Sequence, residues 1–179
     1  MIRKLLISAA AFAVLPGVAN AAWYQANSKH FVVYSDDSAE RVKAYAEKLE
    51  RFDKAISVLH KANETPRGPA ARVTIFVVDN VAAVQKLSGP GIAGFFRPQS
   101  QGSLAFMPRV GGDGGLSAQA ILFHEYAHYW MFSNWSDAAF PYWFTEGFAE
   151  FHATAIAKPD GSMIFGANPL YRRYRVDNA

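Results

Sequence analysis

The stretch AILFHEYAHYWMF, residues 120–132, is apolar or aromatic at every position except His124, Glu125 and His128. Its apolar side chains cover almost every direction around a helix, which is typical of a helix buried on all sides. Ser117 precedes the stretch and is expected to cap this helix at its N-terminus. Because an unpaired charge is costly in such a setting, the three ionisable side chains need partners. We therefore expect this helix at the centre of the fold.

The two histidines are four residues apart, which separates them by about 40° and about 6 Å on one helix face. Both imidazoles can therefore converge on one metal ion, while Glu125 points off that axis. Glu125 would then be the general base for a metal-bound water, whose pKa zinc lowers from about 15.7 to about 7. The alternative is a pair of hydrogen-bonded core histidines. The chain has no cysteine, so any metal ligand must come from His, Asp or Glu.

A third ligand is predicted in the segment FPYWFTEGFAEF, residues 140–151. Pro141 suits a first helical turn, and residues 142–157 have helix character. Glu146 would join the two histidines and leave a fourth position open, as a catalytic zinc requires. Its alternative role is that of a carboxylate favoured by the dipole at a helix start.

The sequence also predicts roles for three further residues of the helical segment 142–157. Glu150 lies one turn after Glu146 and would either orient a ligating histidine or replace Glu146 as the ligand. Gly147 would allow the close approach of a neighbouring helix. His152 is expected to have a surface or packing role, and His30 and His60 have no assigned role.

The rest of the chain predicts an α+β fold with a small mixed sheet. Its expected elements are a strand at 30–35, a long amphipathic helix from a capping box at Asp37 and Glu40 to near Asn63, a buried strand at 72–79, a brief helix at 81–87, and short strands at 95–99 and 102–109. Prolines flank the last strand, which favours a place at the sheet edge. At such an edge the strand would either bind an extended peptide or be an ordinary short strand.

Residues 1–21 resemble a secretory signal peptide, with Arg3 and Lys4, a short apolar stretch and Ala19-Asn20-Ala21 as the cleavage site. The stretch is too short for a membrane span, so we expect an exported, periplasmic or secreted domain over residues 22–179. Cleavage removes two of the charges behind the net +3. The remaining arginine cluster at the tail is expected to be solvated, which argues against nucleic-acid binding.

HEYAH followed by YWFTEGFAE resembles the gluzincin metallopeptidases, the superfamily of thermolysin and the zinc aminopeptidases. Trp143, Glu146, Gly147 and Ala149 match their W-x-x-E-G-x-A pattern. The opening of the mature chain and the export signal are similar to a secreted bacterial group of such proteins with unassigned substrates. The resemblance implies one Zn²⁺ held by His124, His128 and Glu146, with Glu125 as base and proton shuttle.

The resemblance also implies an oxyanion donor further along the chain. Tyr171 and Tyr174 are the candidates, and the alternative is that they belong to a frayed tail. Because similar proteins often continue beyond this point, we expect that the chain is a truncated form. The expected function is zinc-dependent hydrolysis of a peptide or protein substrate, and the alternative is a catalytically silent zinc-binding or peptide-binding envelope module. The sequence does not determine the oligomeric state.

Overall fold

A computed structural model describes residues 22–62, 72–99 and 102–168, and these form an α+β fold with a mixed five-stranded sheet and four α-helices. In chain order the elements are β1 (Tyr24–Asn27), β2 (Phe31–Ser35), α1 (Ala39–Leu59), β3 (Val73–Asn80), α2 (Val81–Ser88), β4 (Phe95–Arg97), β5 (Leu104–Val110), α3 (Ala118–Asn134), α4 (Tyr142–Ala153), and the short pair β6 (Ile156–Ala157) and β7 (Met163–Ile164). Within these ranges no helix has the length and apolar character needed to cross a membrane. The signal peptide at 1–21 lies outside them and stays a prediction.

The sheet has the strand order β1-β2-β3-β5-β4, in which β2, β3 and β5 run parallel and the two outer strands run antiparallel to their neighbours. The prediction that residues 102–109 form the edge is therefore wrong, because β4 covers β5. Pro108 is tolerated inside the sheet, opposite Val78, since it removes only one backbone donor from β5. The unpredicted strand β1 is mostly exposed and so lacks the apolar alternation that would reveal it.

Helix α1 begins one residue later than predicted. Its N-cap is Ser38, whose hydroxyl accepts a hydrogen bond from the Arg41 amide, so Asp37 is not the cap. The Asp37 carboxylate instead accepts from the Ser38 amide and pairs with the Arg41 guanidinium. The helix ends at Leu59, short of the predicted end near Asn63. Its buried face packs on the sheet and on α3.

Helix α3 lies in the core, as the sequence indicates. Ser117 is its N-cap and accepts from the Ala120 amide. The Phe123 ring stacks on Phe52 of α1 with a centroid distance of 3.8 Å, and the Trp130 indole donates to the Ser57 hydroxyl at 3.1 Å. α3 therefore has a fixed position between α1 and α4, and its histidines are held by the core of the protein.

Helix α4 begins at Tyr142 as predicted, with Pro141 one position before its first turn, and it ends earlier than predicted. Pro141 is the N-cap residue, so the first helical turn begins at Tyr142. The helix ends at Ala153, and the predicted continuation to residue 157 is wrong because Ile156–Ala157 pairs with Met163–Ile164 as a small hairpin. The hairpin places the Ala155 carbonyl beside α3, where it accepts from the Gln119 side chain at 3.2 Å.

Candidate metal centre

Helices α3 and α4 bring His124, His128 and Glu146 together. The two histidine Nε2 atoms are 3.2 Å apart, and their rings are nearly perpendicular, at 83°. Glu146 approaches both of them, with one oxygen 3.4 Å from His128 Nε2 and the other 3.7 Å from His124 Nε2. One ligand atom from each residue therefore lies within 4.8 Å of the other two, although His128 and Glu146 are eighteen residues apart in sequence.

These separations fit the ligand shell of a zinc ion. Zinc binds imidazole nitrogen and carboxylate oxygen at about 2.0–2.2 Å in tetrahedral sites, so two of its ligand atoms are about 3.3–3.5 Å apart. The nitrogen–nitrogen distance of 3.2 Å and the shortest approach of each Glu146 oxygen, 3.4 Å to His128 and 3.7 Å to His124, lie close to that edge length. A nitrogen–nitrogen–oxygen donor set without sulfur also suits a catalytic rather than a structural zinc. The residues present therefore fit the metal.

The second ring nitrogen of His128, Nδ1, also bears on metal binding. This nitrogen is buried and has no hydrogen-bond partner among the residues that the structure describes. Burial lowers the pKa of the His128 ring, and the neighbouring His124 lowers it further. Both effects favour the neutral imidazole, which is the form that ligates a metal ion.

Glu125 lies beside this trio without belonging to it. Burial raises the pKa of its carboxyl group to about 7, and the negative charge of Glu146 contributes to the increase. Gly94, in the loop before β4, approaches it closely, since a Cβ at Gly94 would lie 3.3 Å from Glu125 Cγ and 2.8 Å from a methyl group of Ile121. The sequence showed this loop only as a chain break, and it forms one wall of the site.

Glu150 lies on the other side of His124. One of its oxygens is 3.6 Å from His124 Nδ1, the ring nitrogen that faces away from Glu146. That position favours the orienting role over the alternative in which Glu150 replaces Glu146. The expectation for Gly147 is wrong, because an added Cβ there would meet no atom of residues 22–62, 72–99 and 102–168 within 4 Å.

The site opens into a cleft of about 500 Å³. Its lining combines the carboxylates of Glu125, Glu146 and Glu150 with apolar side chains from the 91–95 loop and the start of α3, among them Ile92, Phe95 and Ile121. Within the described residues no lysine or arginine lines this cleft. Tyr171 and Tyr174, the candidate oxyanion donors, lie outside the described residues.

A second group of metal-ligating side chains was missed by sequence reasoning. His30 Nδ1 lies 2.8 Å from Glu50 and 3.3 Å from Asp53, and Asp53 also accepts a 2.5 Å hydrogen bond from the Tyr126 hydroxyl. His30 and Asp53 are both buried. No local sequence pattern predicts this cluster, because His30, the residue before β2, meets helix α1 only in the folded chain.

The two remaining histidines form a pair. His60 and His152 are 3.0 Å apart at Nε2, and His152 Nδ1 donates to the Phe148 carbonyl at 2.6 Å. His152 is 1% exposed, so its packing role is the correct one of the two expected. Burial lowers the pKa of His152 to about 4, and the nearby His60 adds to the decrease.

No protein-family model matches the chain, and a search of curated proteins found no match.

Proposed function

We propose that the protein is a zinc-dependent peptide hydrolase of gluzincin type, with His124, His128 and Glu146 as ligands and Glu125 as general base. The observation that carries this proposal is the approach of two histidine nitrogens, 3.2 Å apart, to the two oxygens of the Glu146 carboxylate, at 3.4 and 3.7 Å, at the side of an open cleft. A zinc ion bound there would supply a Lewis acid for a carbonyl oxygen and a water of lowered pKa. The α+β fold and the sequence resemblance support the same interpretation.

Glu125 has the properties required of the base. In the metal-free protein burial raises the pKa of its carboxyl group to about 7, and a zinc ion nearby would lower this pKa and favour the carboxylate that accepts a proton. It would accept the proton released as water adds to the scissile carbonyl carbon. It would then deliver that proton to the leaving nitrogen as the C–N bond breaks. Gly94 leaves room for this side chain, because an added Cβ there would lie 3.3 Å from Glu125 Cγ.

The shape and charge of the cleft favour a peptide over an anionic substrate. The carboxylates of Glu125, Glu146 and Glu150 carry more negative charge than one Zn²⁺ ion would neutralise, which disfavours anionic substrates, while the apolar lining suits an uncharged side chain. Strand β4 lies at the sheet edge, and its Phe95 also lines the cleft. An extended peptide added to β4 would therefore pass beside the proposed zinc site.

One observation favours a catalytically silent zinc-binding module instead. Among the described residues that line the cleft, none is a tyrosine, an arginine, a lysine or a third histidine. Such a donor would stabilise the negative charge that develops on the carbonyl oxygen, and its loss typically costs about 10²–10³ in kcat. A module of this kind would bind zinc or a peptide of the cell envelope without cleaving a peptide bond.

The decisive experiment is the Glu125→Gln substitution, assayed with zinc-loaded protein on a mixed peptide library. We expect hydrolysis to fall by at least about 10²-fold, since the amide cannot accept the proton, while elemental analysis still finds one zinc per chain. Glu47→Gln, on the exposed face of α1, is the matched control and should keep full activity. Full activity of Glu125→Gln would refute the mechanism. Wild-type protein that holds zinc and cleaves no peptide would favour the silent module.

A further inference from the structure

Helices α3 and α4 run antiparallel, and their facing side chains form successive layers. Three close approaches define the register: the Gln119 side chain with the Ala155 carbonyl, His124 with Glu150, and His128 with Glu146. Each step forward along α3 therefore matches an equal step back along α4. The proposed metal ligands lie in the last two of these layers, and the next layer follows about one helical turn, or about 5–6 Å, further on.

The layer that follows His128 consists of three aromatic residues. Phe132 lies one turn after His128 on α3, and Tyr142 and Trp143 lie one turn before Glu146 on α4. The Phe132 ring is nearly parallel to the His128 ring, with an interplanar angle of 13° and a centroid distance of 6.3 Å. We call Phe132, Tyr142 and Trp143 the aromatic layer. It continues the metal site along the helix pair toward the turn between α3 and α4.

The aromatic layer is exposed to solvent. Tyr142 and Trp143 are 79% and 73% exposed, the highest values for large apolar side chains in the part of the chain that the structure describes, and Phe132 is 53% exposed. The packing of α4 in the core depends on other residues, among them Phe148 and Ala149. A cluster of three exposed aromatic side chains beside a candidate site is typical of a binding surface.

The apolar side chain of a bound peptide fits this surface. The aromatic layer contains no charged side chain, and tyrosine and tryptophan are enriched where proteins anchor an apolar group of a partner. Phe132 lies about 6 Å beyond His128 along α3, which is the length of about two residues of an extended peptide. Side chains two residues apart in an extended chain point to the same side. A peptide bound at the metal site would therefore present one such side chain to the aromatic layer.

We propose that the aromatic layer is a specificity subsite, which binds an apolar side chain about two residues from the bond that is cleaved. This inference rests on the proposed function, because the zinc site defines which bond that is. Ile121, one turn before His124, lines the cleft, so apolar groups flank the metal ligands in both directions along α3. The substrate would therefore extend on both sides of the cleaved bond.

The test uses blocked peptides of alanine and serine in which a single phenylalanine occupies each position in turn, with the phenylalanine-free peptide as reference. Zinc-loaded protein is incubated with each peptide, and mass spectrometry of the products identifies the cleaved bond. We expect the cleaved bond to move with the phenylalanine and to stay about two residues from it. We expect kcat/KM to exceed that of the reference peptide by about tenfold, the usual effect of one buried aromatic contact.

Two substitutions remove the aromatic layer in part. Trp143→Ala and Phe132→Ala should each lower kcat/KM for the phenylalanine peptide about threefold to tenfold more than for the reference peptide, whereas a merely structural role would lower both equally. Trp143→Phe should keep most of the preference. Trp23→Ala is the matched control, since Trp23 is a half-exposed tryptophan that contacts Phe76 of the sheet. Circular dichroism verifies folding, and the exposed Trp143 can be removed without disturbing the core.

A binding measurement distinguishes failure of this inference from failure of the proposed function. Glu125→Gln protein, with and without zinc, is titrated with the phenylalanine peptide and the reference peptide, and NMR follows the indole N–H signal of Trp143. We expect the phenylalanine peptide to shift this signal at about tenfold lower concentration than the reference peptide. If the wild type cleaves neither peptide and this preference is present, the proposed function fails and the aromatic layer still binds an apolar side chain of a peptide.

Several results would overturn the inference. A cleaved bond whose position does not depend on the phenylalanine would do so, as would an unchanged preference in both Trp143→Ala and Phe132→Ala. Equal binding of the two peptides to the Glu125→Gln protein would also contradict it. Dimerisation that Trp143→Ala abolishes, measured by sedimentation, would assign the aromatic layer to self-association instead. A blue shift of tryptophan fluorescence with phosphatidylcholine vesicles, lost in the same variant, would assign it to a lipid surface.

Discussion

Two clusters of histidine and carboxylate side chains lie on different faces of α3, and they differ in how closely their carboxylates approach hydrogen-bond donors. In the open cluster, His124, His128 and Glu146 stand 3.2–3.7 Å apart beside a cleft. In the closed cluster, His30 Nδ1 lies 2.8 Å from Glu50, and Asp53 accepts from Tyr126 at 2.5 Å. Both clusters bring three ligand atoms within 4.8 Å of one another.

The comparison shows that composition alone does not make a metal site. In the closed cluster the carboxylates already accept hydrogen bonds within the protein. Glu50 accepts from the His30 ring and the His30 amide, and Asp53 accepts from the Tyr126 hydroxyl. In the open cluster the separations are too long for good hydrogen bonds to Glu146 and match the edge of a zinc tetrahedron. We therefore expect the open cluster to bind zinc and the closed cluster to stabilise the packing of α1 and β2 on α3.

The largest effect should come from removing a histidine of the open cluster. His128→Ala should reduce zinc affinity by more than the about 10–100-fold typical of an outer-shell partner, because it removes a ligand atom. His30→Ala should leave one zinc per chain. Competition with a chromophoric chelator measures the affinity, and elemental analysis measures the stoichiometry. If His30→Ala loses zinc and His128→Ala retains it, the roles of the two clusters are reversed.

The second-largest effect is expected on the free energy of unfolding, from a substitution in the closed cluster. Asp53→Ala removes the acceptor of the Tyr126 hydroxyl and one of the two carboxylates beside buried His30. The free energy of unfolding should fall by about 3–5 kcal/mol, the usual result of breaking a buried charged network. Urea denaturation followed by circular dichroism measures it, with Glu47→Ala on the exposed face of α1 as the control. A loss below about 1 kcal/mol would show that the cluster contributes little.

The sequence predicted the open cluster more completely than the closed one for a physical reason. A spacing of four residues fixes the relation of His124 to His128 within one helix, and the Ser117 cap is equally local. The closed cluster joins residues twenty and more positions apart, and His60 meets His152 over ninety-two. Such contacts depend on how the helices pack. The sequence did not predict the interior position of β5 for the same reason, since the pairing of β4 with β5 is also a tertiary contact.

The third histidine site, the pair of His60 and His152, is expected to affect the stability of the protein at acid pH. His60 and His152 have aromatic neighbours such as Trp130 and Phe148, and neither has a carboxylate within ion-pairing distance among the described residues. The pKa of His152 falls from about 6.5 when unfolded to about 4 when folded. The unfolded chain therefore binds the proton first, and stability should decrease as the pH falls from about 6.5 to 4, by up to about 3 kcal/mol.

Thermal or urea unfolding of metal-free protein between pH 7.5 and pH 4 tests this expectation, with His152→Gln as the comparison. The variant should lose less stability on acidification than the wild type, because glutamine does not titrate. The lowered pKa of His60 acts in the same direction, so part of the acid sensitivity should persist in the variant. Identical pH profiles of the two proteins would contradict a buried neutral His152.

The smallest effect distinguishes a carboxylate that orients a ligand from one that is a ligand. Glu150 approaches His124 at Nδ1, while Glu146 approaches at Nε2, so Glu150→Gln should weaken zinc binding only about tenfold. Glu50→Gln, the same change in the closed cluster, should leave zinc affinity unchanged. A loss as large as that of His128→Ala would make Glu150 the third ligand, and wild-type affinity would mean that the 3.6 Å approach to His124 has no influence on the metal. The intermediate result is expected because a carboxylate on the outer nitrogen increases the basicity of the imidazole without touching the ion.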